Sequence, residues 1–293
     1  MLRTRLWMGA ILVSMTVGVL VADQPLAPWF PFLFLLTATL AVIACAELLG
    51  LLAGARHPRA WLCYTAVIAM ILGNWLPHVW RAVATLDSDP WHWILGLLTV
   101  SVMGAFLVEM AAFREPGDSV ARIASTVWIV AYVGLLPAFL IQLRWLGSVG
   151  TGTAIGIEPG LLALALAIFV PKCGDIGAYF AGRFLGQHRM SPVLSPKKSW
   201  EGAAGGIIAS TAAAIGINRL GPVLTSGIAV EIAFGLTVGV AGILGDLAES
   251  LIKRDCRQKE ASLTVPGFGG ILDVIDSVVF AAPVAYCWFA LNK

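Results

Sequence analysis

Charge is scarce in this sequence. Aspartate, glutamate, lysine and arginine make up 12% of its 293 residues, about half the usual share in a soluble protein. The net charge is only +2, which removes any bulk electrostatic case for nucleic-acid binding. Cysteine is sparse and scattered: Cys45, Cys63, Cys173, Cys256 and Cys287 form no CxxC pair and have no histidine at ligand spacing. Neither a disulfide framework nor a zinc site is expected, and these residues read as apolar fillers. Internal repeats and low-complexity tracts are also missing.

Apolar residues are abundant, at 59%. A soluble domain of this length has no interior large enough to hide them, whereas a bilayer accepts them as its solvent does. A helix needs about 20 apolar residues to cross the hydrocarbon core. Nine stretches qualify, at 6–22, 29–52, 61–80, 91–112, 122–143, 160–182, 202–218, 228–251 and 269–291. The expected fold is therefore an all-α polytopic transmembrane bundle of about nine spans. Pro28, Pro77, Pro90 and Pro266 are expected at or near span ends.

The basic residues test that count. With the N-terminus cytoplasmic, nine spans place Arg3, Arg5, Arg56, Arg59, Arg114, Arg122, Lys172, Arg183, Arg189, Lys197, Lys198, Lys253, Arg254, Arg257 and Lys259 on the inner side. Arg81, Arg144, Arg219 and Lys293 remain outside, which accounts for all 19 basic residues. A wrong span count scrambles this asymmetry. Basic residues ahead of the first apolar run also fit a cleaved signal peptide. The spanning reading is preferred because it gives the Arg56 and Arg59 loop its hairpin partner.

The chain changes character near residue 160. Residues 1–158 form an N-terminal membrane-helix region whose few charges mostly mark span ends. Residues 159–293 form a region in which acids, lysines and glycines crowd into two cytoplasmic loops and the adjacent helix ends. The first loop runs from Cys173 to Arg183 and on through Ser195 to Gly202. The second runs from Gly245 to Lys259 and continues from Pro266 to Ser277. Two spans separate them, so both face one side and can meet in one site.

Asp246, Glu249, Ser250 and Lys253 are spaced to share one helix face, as are Asp273 and Asp276. Ionisable groups in membrane segments are costly and usually line a polar cavity. Carboxylates from two helices, with no histidine or cysteine among them, suit a hard cation such as Mg²⁺. Lys197 and Lys198 after a Ser-Pro turn, Lys253, Arg254 and Lys259 after the Asp246 helix, and the glycines 267, 269 and 270 have the makings of a phosphate site. Together these are the parts of metal-assisted phosphoryl or nucleotidyl transfer. Bland readings stand beside these. Basic residues at cytoplasmic ends often serve topology alone, and Asp246 paired with a lysine is ordinary structural glue. Gly205 and Gly206 read as helix-packing residues. Glu47 and Glu109 have no partner nearby in sequence and read as packing or interfacial acids. His78 and His188 have no ligand spacing and read as solvated or interfacial.

The second loop resembles the signature of the CDP-diacylglycerol synthases (phosphatidate cytidylyltransferases). Ser250, Lys253, Arg254, Lys259, Pro266, Gly267, Gly269, Gly270, Asp273 and Asp276 match that family's pattern at its spacing. The first loop resembles it in Asp175, Gly177, Ala178 and Tyr179 and in the segment Ser195 to Gly202. The motifs cover about residues 173–277. Glu260 stands where the family usually has Asp, Phe268 where it has His and Val274 where it has Arg. The presumed metal carboxylates are intact.

The resemblance implies a membrane-embedded nucleotidyltransferase. A phosphate oxygen of phosphatidic acid attacks the α-phosphorus of CTP, giving CDP-diacylglycerol and pyrophosphate. The nucleophile is already an anion, so catalysis rests on positioning and charge neutralisation. On this reading Asp246, Asp273 and Asp276 hold Mg²⁺, with a second cation left open, and Lys253 joins them in the catalytic set. Lys197, Lys198, Lys253, Arg254 and Lys259 face the phosphates of CTP and lipid. Asp175, Tyr179, Ser195, Glu201, Ser250, Gly269 and Gly270 complete the expected substrate-binding set. The setting is a bacterial inner membrane with the site facing the cytoplasm, and the resemblance implies a homodimer. Two rivals remain. A CDP-alcohol phosphotransferase needs a longer aspartate pattern, of which only the terminal Asp-x-x-Asp is here. A degenerate lipid-binding protein or transporter draws on Phe268 and Val274, although a transporter is expected to carry polar breaks near mid-membrane. Asp273→Asn is expected to abolish cytidylyl transfer while expression and folding stay largely unchanged. Near-normal turnover in that variant refutes the metal assignment.

Overall fold

The computed structural model describes residues 2–52, 57–84, 89–147, 157–224 and 227–291. Arg56 and Lys293, counted above as topology markers, lie outside the described residues. Each of the nine expected stretches falls on helix. The first four are α1 (Leu2–Ala22), α2 (Pro31–Leu51), α3 (Ala60–Ala84) and α4 (Pro90–Ala112). The fifth combines α5 (Ser119–Val130), a π-helical turn at Ala131–Leu135 and α6 (Leu136–Gln142). Then come α7 (Pro159–Leu185), α8 (Trp200–Asn218), α9 (Ile228–Asp255) and α10 (Leu272–Leu291). Among the described residues, seven helical segments are long and apolar enough to cross a membrane. The glycine- and alanine-rich α8 is not among them, and the apolar part of α1 is shorter. The protein is a helical integral membrane protein.

The element starts follow local chemistry. Pro31, Pro90 and Pro159 open α2, α4 and α7, where a missing N–H leaves no intrahelical bond unmade. Asp89 accepts a hydrogen bond from the Trp91 N–H at 3.0 Å and caps α4. The fully buried Asp23 accepts from the Phe32 and Leu33 N–H groups at the start of α2. Pro77 departs from expectation, for it lies inside α3, which runs on to Ala84. The buried Asn74 in the same helix donates to the Met70 carbonyl at 2.8 Å, so this span satisfies its polar residue internally. On α4, Val100, Met103, Phe106 and Leu107 are exposed, as expected of a helix whose solvent is lipid.

Ser195 to Lys198 correct a second expectation. They form a strand rather than a turn: β1 (Arg189–Ser191) pairs antiparallel with β2 (Ser195–Ser199), placing Arg189 opposite Ser199 and Ser191 opposite Ser195. The reversal falls at residues 192–194.

Packing groups the chain into two units: Met1–Ala138 with Glu260–Leu272, and Phe139–Lys259 with Asp273–Lys293. The division at 158/159 read from the sequence reflects charge density and follows a different logic. In the first unit Ala66, Met70, Ile94, Val130 and Ala138 form a core. There Glu109 is buried and ion-paired, with the Arg122 guanidinium at 2.7 Å and Arg59 at 3.4 Å. The partners invisible to local reading come from a loop and the next helix.

In the second unit glycines let helices touch backbone to backbone. A Cβ on Gly206 of α8 would lie 3.0 Å from the Gly174 carbonyl of α7, which bears out its reading as a packing residue. On α9, a Cβ at Gly242 would lie 2.9 Å from Pro171 of α7, and one at Gly245 would lie 2.6 Å from the Asp276 carbonyl of α10. These two glycines draw α7, α9 and α10 together where their charged residues lie. Gly245→Ala is expected to lower stability by about 1–3 kcal/mol through overpacking. Gly216→Ala, whose new methyl meets nothing within 4 Å, is expected to be neutral or stabilising. Thermal unfolding in detergent compares the two, and equal melting temperatures would contradict the close approach.

Candidate catalytic centre

Asp246 lies one residue beyond Gly245, and Asp276 is the residue whose carbonyl that glycine admits. The close approach of α9 and α10 therefore brings their acids together. One carboxylate oxygen each from Asp246, Glu249 and Asp276 lie within 4.8 Å of one another. Glu249 and Asp276 are buried and Asp246 is half-buried.

Three lysines face this group. The Lys198 ammonium of β2 lies 2.8 Å from Asp246 Oδ2. The Lys172 Nζ of α7 lies 2.8 Å from Asp175 and 3.6 Å from Asp276. The buried Lys253 donates to Glu249 Oε2 at 2.7 Å and to Asp273 Oδ1. Ser277 joins α7 to α10 by donating its hydroxyl to Asp175 Oδ2 at 2.8 Å. Among the described residues, five carboxylates (Asp175, Asp246, Glu249, Asp273, Asp276) pair with three ammonium groups, a formal deficit of two positive charges. The second oxygen of Glu249, Oε1, is buried without a hydrogen-bond partner. An orphaned buried carboxylate oxygen is costly, and a divalent cation would satisfy both the atom and the deficit. Oxygen donors of this kind fit Mg²⁺.

The expected residues are thus partly brought together. Asp246, Asp276, Lys198, Asp175 and Lys253 belong to one charged network. Asp273 departs from its expected place. It pairs with Lys253, and Glu249 stands where a third metal carboxylate was expected from it. The physical reason is that Lys253 is buried among acids and takes Asp273 as its second counter-charge. The same contacts engage the Lys253 ammonium with two carboxylates, Glu249 and Asp273. Ser250 is buried beside it on α9.

The remaining candidates lie on the rim or elsewhere. Lys197 and Lys259 are exposed, and Ser195 is half-buried at the start of β2. Arg254 donates through Nε to the Leu194 carbonyl at 3.3 Å and through Nη1 to the Gln258 carbonyl at 3.1 Å. It thereby ties the end of α9 to the hairpin reversal. The exposed Tyr179 accepts from Arg183 at 2.9 Å. Glu201 serves the hairpin, accepting from His188 Nδ1 at 2.6 Å and from the Gln187 and His188 N–H groups at 3.1 and 3.2 Å.

Gly269 and Gly270 belong to the first unit. Val265 and Gly269 close a tight turn, with the Val265 N–H donating to the Gly269 carbonyl at 2.7 Å. Gly267 and Gly269 adopt φ values of +87° and +109°, which side chains rarely tolerate. Phe268, standing where the resemblance expects histidine, directs its ring edge at Gly9 of α1. A polar donor has thus given way to an apolar packing contact.

Sequence reasoning missed four groups. Lys172 was counted as a topology marker, although a lysine within a span is itself a signal. Glu249 shared the right face but received no role. Ser277 carried no local signal, and Glu47, an acid within a span, carried the same kind of signal as Lys172.

The profile of the cytidylyltransferase family matches residues 3–291. This chain belongs to that family. Several of its relatives carry the name phosphatidate cytidylyltransferase. One from Synechocystis is 34% identical over 209 residues, covering 64% of this chain and 69% of that protein. A chloroplastic one from Arabidopsis thaliana is 31% identical over 212 residues, covering 67% and 53%. One from Mycobacterium bovis is 27% identical over 298 residues, covering 97% and 88%. The family match agrees with the resemblance read from the two loops. It extends through the N-terminal helices, where no motif was legible.

The Glu201 contacts set a pH range for the hairpin of this family member. The His188 ring, then backbone donors, pull the Glu201 carboxyl down to about 2. Its contribution is therefore complete above the ordinary glutamate range and fades as pH falls toward 2. Hydrogen exchange at the Gln187 and His188 amides is expected to stay slow at pH 5 and to speed up in Glu201→Gln at that pH. Unchanged exchange in the variant removes the capping role.

Proposed function

We propose that this protein transfers the cytidylyl group of CTP to phosphatidic acid, giving CDP-diacylglycerol and pyrophosphate. The observation that carries this reading is the group Asp246, Glu249 and Asp276, converging within 4.8 Å in a member of the cytidylyltransferase family. The names of the relatives support the choice of lipid substrate. Asp246, Glu249 and Asp276 would hold Mg²⁺. When bound, that ion supplies charge neutralisation for a triphosphate and its departing pyrophosphate.

A phosphate oxygen of phosphatidic acid forms a bond to the α-phosphorus of CTP. The bond from that phosphorus to the bridging oxygen of the pyrophosphate breaks, and the electron pair leaves with pyrophosphate. No proton has to be removed from an anionic nucleophile, so Phe268 in place of histidine costs the reaction nothing essential. Lys198, beside Asp246, would meet a phosphate of CTP. The exposed Lys197 and Lys259 attract the polyanion toward the site. Lys253 acts inside the protein, holding Glu249 and Asp273 in position. We place the site on the cytoplasmic face of a bacterial inner membrane, with the N-terminus on the same side. We also propose a homodimer, as the family resemblance implies.

Purified protein in detergent, given labelled CTP, phosphatidic acid and Mg²⁺, is expected to release pyrophosphate and form CDP-diacylglycerol. Absence of turnover with every divalent cation overturns the proposal. Glu249→Gln is expected to lower kcat by about a hundredfold or more. Wild-type rates in that variant remove Glu249 from the centre.

A further inference from the structure

We infer that Glu47, far away in sequence on α2, is a positioning residue for the reacting centre. It fixes the chain at the point where α10 begins. The inference rests on the function proposed above.

Glu47 is buried, at 6% exposure, within a span. Its carboxylate accepts four hydrogen bonds from one loop. Oε1 accepts from Ser262 Oγ at 2.6 Å, from Thr264 Oγ1 at 3.0 Å and from the Ile271 N–H at 2.9 Å. Oε2 accepts from the Leu272 N–H at 2.8 Å. These donors flank the Pro266–Gly270 turn on both sides, so one side chain pins both of its arms. A Cβ at Gly270 would lie 2.5 Å from Oε2. The loop is thus shaped around this carboxylate, with glycine required where it passes.

Leu272 is the first residue of α10, and Asp273 follows it. Amides at a helix start have no intrahelical acceptor, and a negative charge there is favoured by the helix dipole. Glu47 supplies both acceptor and charge. It therefore holds the start of α10, whose first two turns carry Asp273 and Asp276. A turn of that helix about its axis by one residue's step, about 100°, takes Asp276 off the face that meets Asp246. Glutamine cannot replace this group, since one of its two terminal atoms is a donor facing donors.

Two measurements on purified full-length protein test the inference, with Glu109→Gln as control. Glu109 is a second buried membrane acid, with arginine partners and no part in the centre. In Glu47→Gln, hydrogen–deuterium exchange of peptides covering 262–276 is expected to rise, while peptides from α4 and α5 stay unchanged. The Mg²⁺ concentration for half-maximal turnover is expected to increase about tenfold, the usual effect of losing a group that orients metal ligands. A smaller folded fraction cannot produce that shift, and Glu109→Gln is expected not to show it. Unchanged exchange at 262–276 overturns the inference. Faster exchange with an unchanged Mg²⁺ requirement also overturns it, by reducing Glu47 to a loop anchor. If wild type itself shows no turnover, the function proposal fails, whereas the exchange result still reports the pinning by itself. Should Glu47→Gln fail to fold, Gly270→Ala presses on the same carboxylate from the loop side and is expected to give the same two signatures.

Discussion

Charge buried within membrane helices must be matched by charge. In this protein the matching is done in a small space. Carboxylates of α7, α9 and α10 stand against Lys172, Lys198 and Lys253, and the lysines do not suffice. Several features of the second unit serve that arrangement. Gly242 and Gly245 remove the side chains that would hold α7 and α10 away from α9. Ser277 stitches α7 to α10 through Asp175. Arg254 fastens the end of α9 to the hairpin that carries Lys198. A divalent cation held by Asp246, Glu249 and Asp276, as proposed above, would meet the remaining negative charge and the orphaned Glu249 oxygen.

Much of this was legible in the sequence because membranes impose strict local rules. Span length and apolar content located nine helical segments among the described residues, seven of them long and apolar enough to span, and a spacing of three and four residues placed Asp246, Glu249, Ser250 and Lys253 on one face. Long-range contacts were illegible. That Glu249 lies beside Asp246 and Asp276, while Lys253 bridges Glu249 and Asp273, depends on contacts between helices that no local pattern encodes. Lys197 and Lys198 were read as following a turn because Ser-Pro is a frequent turn pair. Pairing with Arg189 to Ser191 made that segment a strand instead. Glu47 and Glu109 are alike in sequence, each a lone acid in an apolar helix. One meets two arginines and the other meets a loop more than 200 residues away.

The departures from the family pattern look different once packing is seen. Phe268 points at the bare backbone of Gly9 on α1. A histidine there would put a polar ring against a membrane helix. The turn around it keeps its form through the positive φ angles of Gly267 and Gly269 and the Val265–Gly269 pairing. The loop's shape thus survives the exchange of its one aromatic residue, since backbone and Glu47 fix it.

The bond between Glu47 and the amides of Ile271 and Leu272 has a consequence for biosynthesis. Translation delivers α2 early, and its acid must wait through 224 further residues before the Ile271 amide exists. During that wait the carboxylate sits in an apolar helix with its eventual donors not yet made. Synthesis of the loop and of the start of α10 then brings those donors within its reach.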